Sequence, residues 1–162
     1  MAFQATVGLS LTIKKDLESK VDGITSPSLT YDKRNIATTL KTDTSPAASK
    51  GTKQLIALSS GAKTIDLTAL DDAGGGTITL TSLKARIVQI ENPSTNANNM
   101  TFAAGASNGY NIFGASGQVT LAPGQMVQLY FADGAGTIGS GAKTIDVTGT
   151  GSQSFYFGIV AG

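Results

Sequence analysis

Six carboxylates, Asp66, Asp71, Asp72, Glu91, Asp133 and Asp146, are the acidic groups in residues 54–162 of this 162-residue chain, and no histidine or cysteine stands anywhere to assist them. Without imidazole or thiol, a Ser-His-Asp or Cys-His arrangement has no base to activate its nucleophile, and zinc sites built from nitrogen or sulfur have no ligands. A pair of carboxylates is the hydrolytic design that remains. Asp71 and Asp72 stand beside Gly74-Gly75-Gly76, where aspartate is favoured because its side chain bonds its own turn. Hard cations such as Ca²⁺ take clustered oxygens of this kind, but the Asp-x-Asp-x-Asp-Gly spacing is missing and a solvated turn is the expectation. The triple glycine lacks the Lys-Ser/Thr pair and following helix of a phosphate loop, so it reads as a hairpin turn. The expectation is a chain that is not an enzyme, with no catalytic residue, no cofactor and no metal.

Recognition chemistry is the other possibility. Tyr110 and Phe113, in the segment from Gly105 to Gly114, are candidates for a partner-contact or sugar-stacking surface, because loops on rigid sheets carry recognition. The bland alternative for both is a cap on the end of a core. A carbohydrate-binding module stacking sugars on Tyr110, Phe113 and Tyr130 is a competing reading, weakened by the absence of Trp. Phe155, Tyr156 and Phe157 belong to a strand with alternating burial. Asn99-Met100-Thr101 matches the glycosylation triplet, a coincidence if the chain is not secreted. The start, Met1 to Val7, lacks the basic end and apolar run of a signal peptide, which predicts synthesis in a cytoplasm. No apolar run approaches the roughly 20 residues of a membrane-spanning helix, and no membrane partner is expected.

Charge separates two regions. Residues 1–53 hold 8 Lys/Arg and 5 Asp/Glu, whereas residues 54–162 hold 4 and 6. The formal net charge of +1 gives no single-sign field for a nucleic-acid backbone, so no nucleic-acid partner is expected. A surface so sparing with ions predicts that much of it meets other protein.

The elements follow from periodicity. Phe3, Ala5, Val7, Leu9, Leu11 and Ile13 alternate with polar or small residues, which predicts one long half-buried strand. Phe3, Val7, Leu9 and Leu11 are its partner-contact candidates, buried against the body or another chain. Lys14 to Asp22 suits a turn or two of helix before Gly23 and Pro27, and a strand is expected around Ile36–Leu40. Thr42 to Lys53 reads as a linker. The domain reading is therefore an N-terminal arm and linker, 1–53, and a β-sandwich body, 54–162. Within the body the spacing predicts strands at Gln54–Leu58, Lys63–Leu70, Thr77–Thr81, Lys84–Glu91, Asn99–Ala103, Gln118–Leu121, Gln125–Phe131, Lys143–Thr148 and Ser154–Val160, separated by Gly, Pro and Asn turns. Short strands at that frequency, with 20 glycines, predict an all-β, jelly-roll-like antiparallel β-sandwich.

One internal echo stands out. Ser60-Gly-Ala-Lys-Thr-Ile-Asp-Leu-Thr68 recurs at Ser140 to Thr148 with a single change, Leu67 to Val147. Each copy reads as an amphipathic strand entered by a Ser-Gly turn, with Ile65 and Leu67 on one face and Asp66 and Thr68 on the other. A pair of corresponding strands in two related halves of the sandwich accounts for it.

The segments Thr64–Thr68, Ile87–Pro93, Asn98–Thr101, Gly109–Asn111, Val119–Gly124 and Phe157–Gly162 together resemble the small jelly-roll decoration or cement proteins of tailed-phage heads. The resemblance covers roughly residues 60–162 and consists of strands and turns rather than a catalytic motif. It implies a virion structural protein on the head surface, made in the host cytoplasm, bound to the major capsid protein and to itself as a homotrimer. Another virion component, such as a head-to-tail, tail or fibre-associated sandwich, shares the same features.

Overall fold

The computed structural model describes residues 4–9, 12–16, 28–32, 36–43, 45, 47–71, 76–114 and 116–162. It divides into two compact units, Thr6–Thr39 on one side and Met1–Ala5 with Leu40–Gly162 on the other. All regular structure in the described residues is strand: β1 (Gln4–Leu9), β2 (Thr12–Asp16), β3 (Ser28–Asp32), β4 (Ile36–Lys41), β5 (Lys50–Ala57), β6 (Ala62–Asp66), β7 (Leu70–Asp71), β8 (Thr77–Ile78), β9 (Ala85–Glu91), β10 (Met100–Ala104), β11 (Gln118–Leu121), β12 (Met126–Tyr130), β13 (Thr144–Thr148) and β14 (Ser154–Ala161).

The N-terminal strands differ from the sequence expectation. Where alternation predicts one strand from Phe3 to Ile13, there are two, and they have different partners: β1 joins β4, and β2 joins β3 antiparallel with Ile13 opposite Tyr31. Alternation marks which residues share a face but carries no signal for a change of partner. Lys14, Lys15 and Asp16 belong to β2 rather than to a helix; pairing with Ser28–Thr30 outweighs a weak local helix preference. The remainder of that expected helix, residues 17–22, lies outside the described residues, as do Phe3 and Leu11. The strand expected near Ile36–Leu40 is β4.

In the larger unit eight strands form two sheets, ordered β5-β14-β9-β12 and β6-β13-β10-β11. Every neighbouring pair is antiparallel. The pairing is nested: the first of the eight joins the last (β5 with β14), the second the seventh (β6 with β13), the third the sixth (β9 with β12), and the fourth the fifth (β10 with β11). A chain folded once as a long hairpin and then rolled into two layers gives this order, which is the jelly roll. The sandwich is therefore as the strand and turn spacing predicts. Between β6 and β9 the short hairpin β7–β8 is inserted, with Leu70 opposite Ile78. The linker expected to run to Lys53 ends earlier, because β14 is eight residues long and pairs as far as Ala161 opposite Lys50.

The core takes alternate residues from both layers. Val88, Ile90, Phe155, Phe157 and Ile159 come from one sheet, and Ile65, Met100, Phe102, Ile145 and Val147 from the other, all buried. Phe102 and Phe155 meet edge to face across the layers, with ring centroids 5.3 Å apart at 75°, a geometry that adds about 1 kcal/mol to the area they bury. Fully buried Asn92 locks one corner. Its Nδ2 donates to Leu121 O (2.8 Å) and Asn98 O (3.2 Å), and its Oδ1 accepts from Asn96 Nδ2 (2.7 Å).

The two copies of the echo turn out to be neighbours. They form β6 and β13, adjacent and antiparallel, with Ile65 directly opposite Ile145. This corrects the reading in which they occupy corresponding places in separate halves: in nested pairing the second and seventh strands are mates, so the sequence pairs with its own copy. The turn entering β6 has Ser60 at φ 52° and Gly61 at φ 82°, the two positive values that a two-residue hairpin turn of type I′ requires. A Cβ on Gly61 would also stand 2.9 Å from Gly149 O.

Candidate functional site

The core and its turns consume most of the groups with chemical potential. The Asp66 carboxylate accepts from Lys143 Nζ (2.7 Å), Thr68 Oγ1 (2.6 Å) and Thr68 N (2.9 Å). Burial acts to raise its pKa, and the bonds from Lys143 and Thr68 with the lysine charge outweigh it, so the carboxyl lies below its ordinary value. Asp146, its counterpart in the echo, is held differently: Thr64 Oγ1 donates to Oδ1 (2.6 Å) and Ala106 N to Oδ2 (2.8 Å). Asp71 contributes its backbone carbonyl, which accepts from Thr52 Oγ1 and Gln54 Nε2. Asp72 lies outside the described residues. Among the described residues no three His, Cys, Asp or Glu side chains converge to hold a metal ion.

The aromatic candidates separate. Tyr110 is 1% exposed, so it belongs to the core and not to a partner-contact surface; the core-cap alternative holds for it. Its hydroxyl accepts from Ala85 N (3.1 Å) and donates to Gly136 O (2.5 Å), tying β9 to the loop before β13. Burial raises its pKa, against the pull of the Ala85 hydrogen bond and the Arg86 charge. Phe113 is half-buried and packs on the same core, while Tyr130 is on β12, half-buried. A sugar platform of Tyr110, Phe113 and Tyr130 is therefore not assembled. Val7 and Leu9 lie on β1.

The two outer faces of the sandwich are unlike. On the β6-β13-β10-β11 sheet the outward positions are small and polar: Thr64, Asp146, Thr148, Thr101 and Thr120, with Thr101 and Thr120 hydroxyls 2.9 Å apart. On the β5-β14-β9-β12 sheet the registers place Leu55 beside Tyr156, Tyr156 beside Glu91, and Glu91 beside Met126, in one row across all four strands. Leu55 is 58% exposed and Met126 is 54% exposed, and they stand at the two ends of that row. The next row runs Lys53, Gly158, Gln89, Gln128, with Lys53 Nζ 5.5 Å from the Tyr156 ring centre, a cation–π contact.

With strands about 4.8 Å apart, the Leu55–Met126 row spans roughly 14 Å. Its apolar ends and single carboxylate can bury against another protein. Covering the exposed part of Leu55 and Met126 would contribute roughly 1 kcal/mol each. Sequence reasoning missed this row. Leu55 and Ile56 are both apolar, so β5 carries no clean alternation to say which one faces out, and Met126 looks like any strand residue until its register with Glu91 is known. No protein-family model, curated protein or solved structure matches this chain.

Proposed function

We propose that this chain is a virion structural protein that decorates or cements a tailed-phage head, docking on the shell of major capsid protein and associating with further copies of itself. The observation that carries the reading is the row Leu55–Tyr156–Glu91–Met126 on the outer face of one sheet. A row with exposed apolar ends, Leu55 and Met126, on a body with so few ions supports a surface that meets protein. The jelly roll is used by capsid and lectin domains alike, and fold alone does not choose between them. The lectin alternative loses its platform with the burial of Tyr110. The sequence resemblance to head-decoration proteins supports the capsid side.

In this reading the head surface is where the protein resides, and neither cofactor nor nucleic acid takes part. Quantitative mass spectrometry of particles purified from cells carrying this gene tests it. Copies in the hundreds per particle, released separately from the tail fraction, are expected. A handful per particle, or recovery with tails alone, overturns the head-surface assignment.

A further inference from the structure

The echo is a strand sequence that demonstrably pairs antiparallel with its own copy: β6 lies against β13 with Ile65 opposite Ile145 and Thr64 opposite Asp146. β6 is also the last strand of its sheet, so its other edge has no strand beside it among the described residues. Leu67 N donates to Lys143 O (2.9 Å) and Gly149 N to Gly61 O (2.8 Å). Bonded and non-bonded pairs alternate in an antiparallel ladder, so residues 61, 63, 65 and 67 face β13 and residues 62, 64 and 66 face the open edge. Ala62 is satisfied there by Ser59 across the turn, and the Asp66 carbonyl accepts from Ala69 N. Left without a described partner are the N–H and C=O of Thr64 and the N–H of Asp66.

The open stretch is short and bounded. The Ser59–Ala62 turn closes one end, and at the other the chain leaves β6 through Leu67–Ala69 toward β7. Beside the edge lies a groove of about 450 Å³ lined by residues including Leu55, Ala57, Thr64 and Asp66. The neighbouring edge, on β5, is partly covered already, because Thr52 and Gln54 bond Asp71 O and Lys50 bonds Thr79 O. A strand of about β6's own length is what fits.

We infer that the occupant is β6 of a second copy, paired antiparallel about a two-fold axis at Ile65, so that the two four-stranded sheets join into one of eight strands. The register is the one the chain already uses with β13, shifted only in which pairs carry the backbone bonds. Thr64 and the partner's Asp66 exchange N–H···O=C bonds, and symmetry repeats the exchange. Thr64 stands across from the partner's Asp66 as it stands across from Asp146 here. Ile65 meets the partner's Ile65 as it meets Ile145 here, so the facing side chains repeat those of a pair the fold already holds. A lysine on an edge strand ordinarily discourages pairing. Here Lys63 is exposed and already stands opposite Val147 in the β6–β13 pair, so a lysine at this position is compatible with the register. The contact does not depend on the capsid reading, and its two-fold symmetry separates it from the trimer that the resemblance implies.

The test is sedimentation of the full chain over a concentration series, with amide hydrogen exchange at Thr64 and Asp66. Wild type is expected to sediment as a concentration-dependent dimer in which those two amides gain protection with concentration. Thr64→Pro removes an N–H that the fold itself does not use, as proline on an outward edge position allows, and is expected to be monomeric. Thr64→Val, which loses the same hydroxyl bond to Asp146 but keeps the N–H, is the control and is expected to dimerise as wild type does. A wild type that stays monomeric throughout, an oligomer indifferent to Thr64→Pro, or a dimer whose Thr64 amide exchanges freely overturns the inference.

Discussion

Replacing Tyr110 by Phe removes one oxygen and leaves the ring's volume in place, so no cavity term enters. The oxygen has two partners of unequal worth. Gly136 is exposed, so its carbonyl regains water when the hydroxyl goes. Ala85 is 0% exposed, and its N–H has the Tyr110 hydroxyl as acceptor (3.1 Å); left unpaired, a buried donor costs about 1–3 kcal/mol. The expected loss is therefore about 2 kcal/mol, nearly all from the Ala85 side. Urea unfolding followed by circular dichroism would register it as a midpoint lowered by roughly 1 M, taking a slope near 2 kcal/mol/M. Tyr130→Phe, at a half-buried position on β12, is the control and should change stability by less than about 0.5 kcal/mol. A Tyr110→Phe chain as stable as wild type would mean that water reaches the Ala85 amide, and the placing of this loop over β9 would be wrong.

Asn92→Ala leaves the buried Leu121 carbonyl short of a donor and takes an acceptor from Asn96, while the exposed Asn98 carbonyl keeps Gln153 Nε2, so a loss of about 2 kcal/mol is expected, seen in calorimetry as a fall in Tm of roughly 4–8 °C. Lys143→Ala and Lys63→Ala alter the same place in the two copies of the echo, yet among the described residues only Lys143 of the two has a bridge, to Asp66; for monomeric protein at neutral pH the first should cost about 0.5 kcal/mol and the second nothing measurable. Because the Asp66 pKa is lowered in the folded state, the stability it contributes is present above the unfolded value near 4 and is lost as pH falls through the folded value. The gap between wild type and Lys143→Ala in urea midpoints should accordingly close below about pH 4, and a gap that persists into stronger acid contradicts the bridge.

Most of the body was legible because each strand is short and its turns are spelled out. Asn92-Pro93, Pro123-Gly124 and Asp133-Gly134 bound β9, β11 and β12 in sequence and in structure alike. What could not be read was anything that depends on partner choice. The nine-residue echo announces two similar strands, but only the nested pairing of the rolled hairpin makes them mates. Lys50 to Lys53 look like linker because Gly51 and the lysines carry no strand preference, and the length of β14 decides the matter. Tyr110 sits in a Gly- and Asn-rich stretch that resembles a surface loop, yet its hydroxyl finds two backbone partners that let the ring be buried. The Leu55–Met126 row is invisible for the same reason: its members are 71 residues apart in sequence and become one surface only through three registers.

The most direct measurement is binding of the purified chain to shells assembled from the major capsid protein of the particle, comparing wild type with the double variant Leu55→Asp and Met126→Asp. Both side chains are more than half exposed, so the variant should fold as wild type does by circular dichroism. Placing two carboxylates in a buried contact is expected to weaken shell binding by roughly a hundredfold or more, about 2.8 kcal/mol. A folded double variant that binds the shell as tightly as wild type, or a wild type that does not bind it at all, contradicts the assignment of this face as the one that docks.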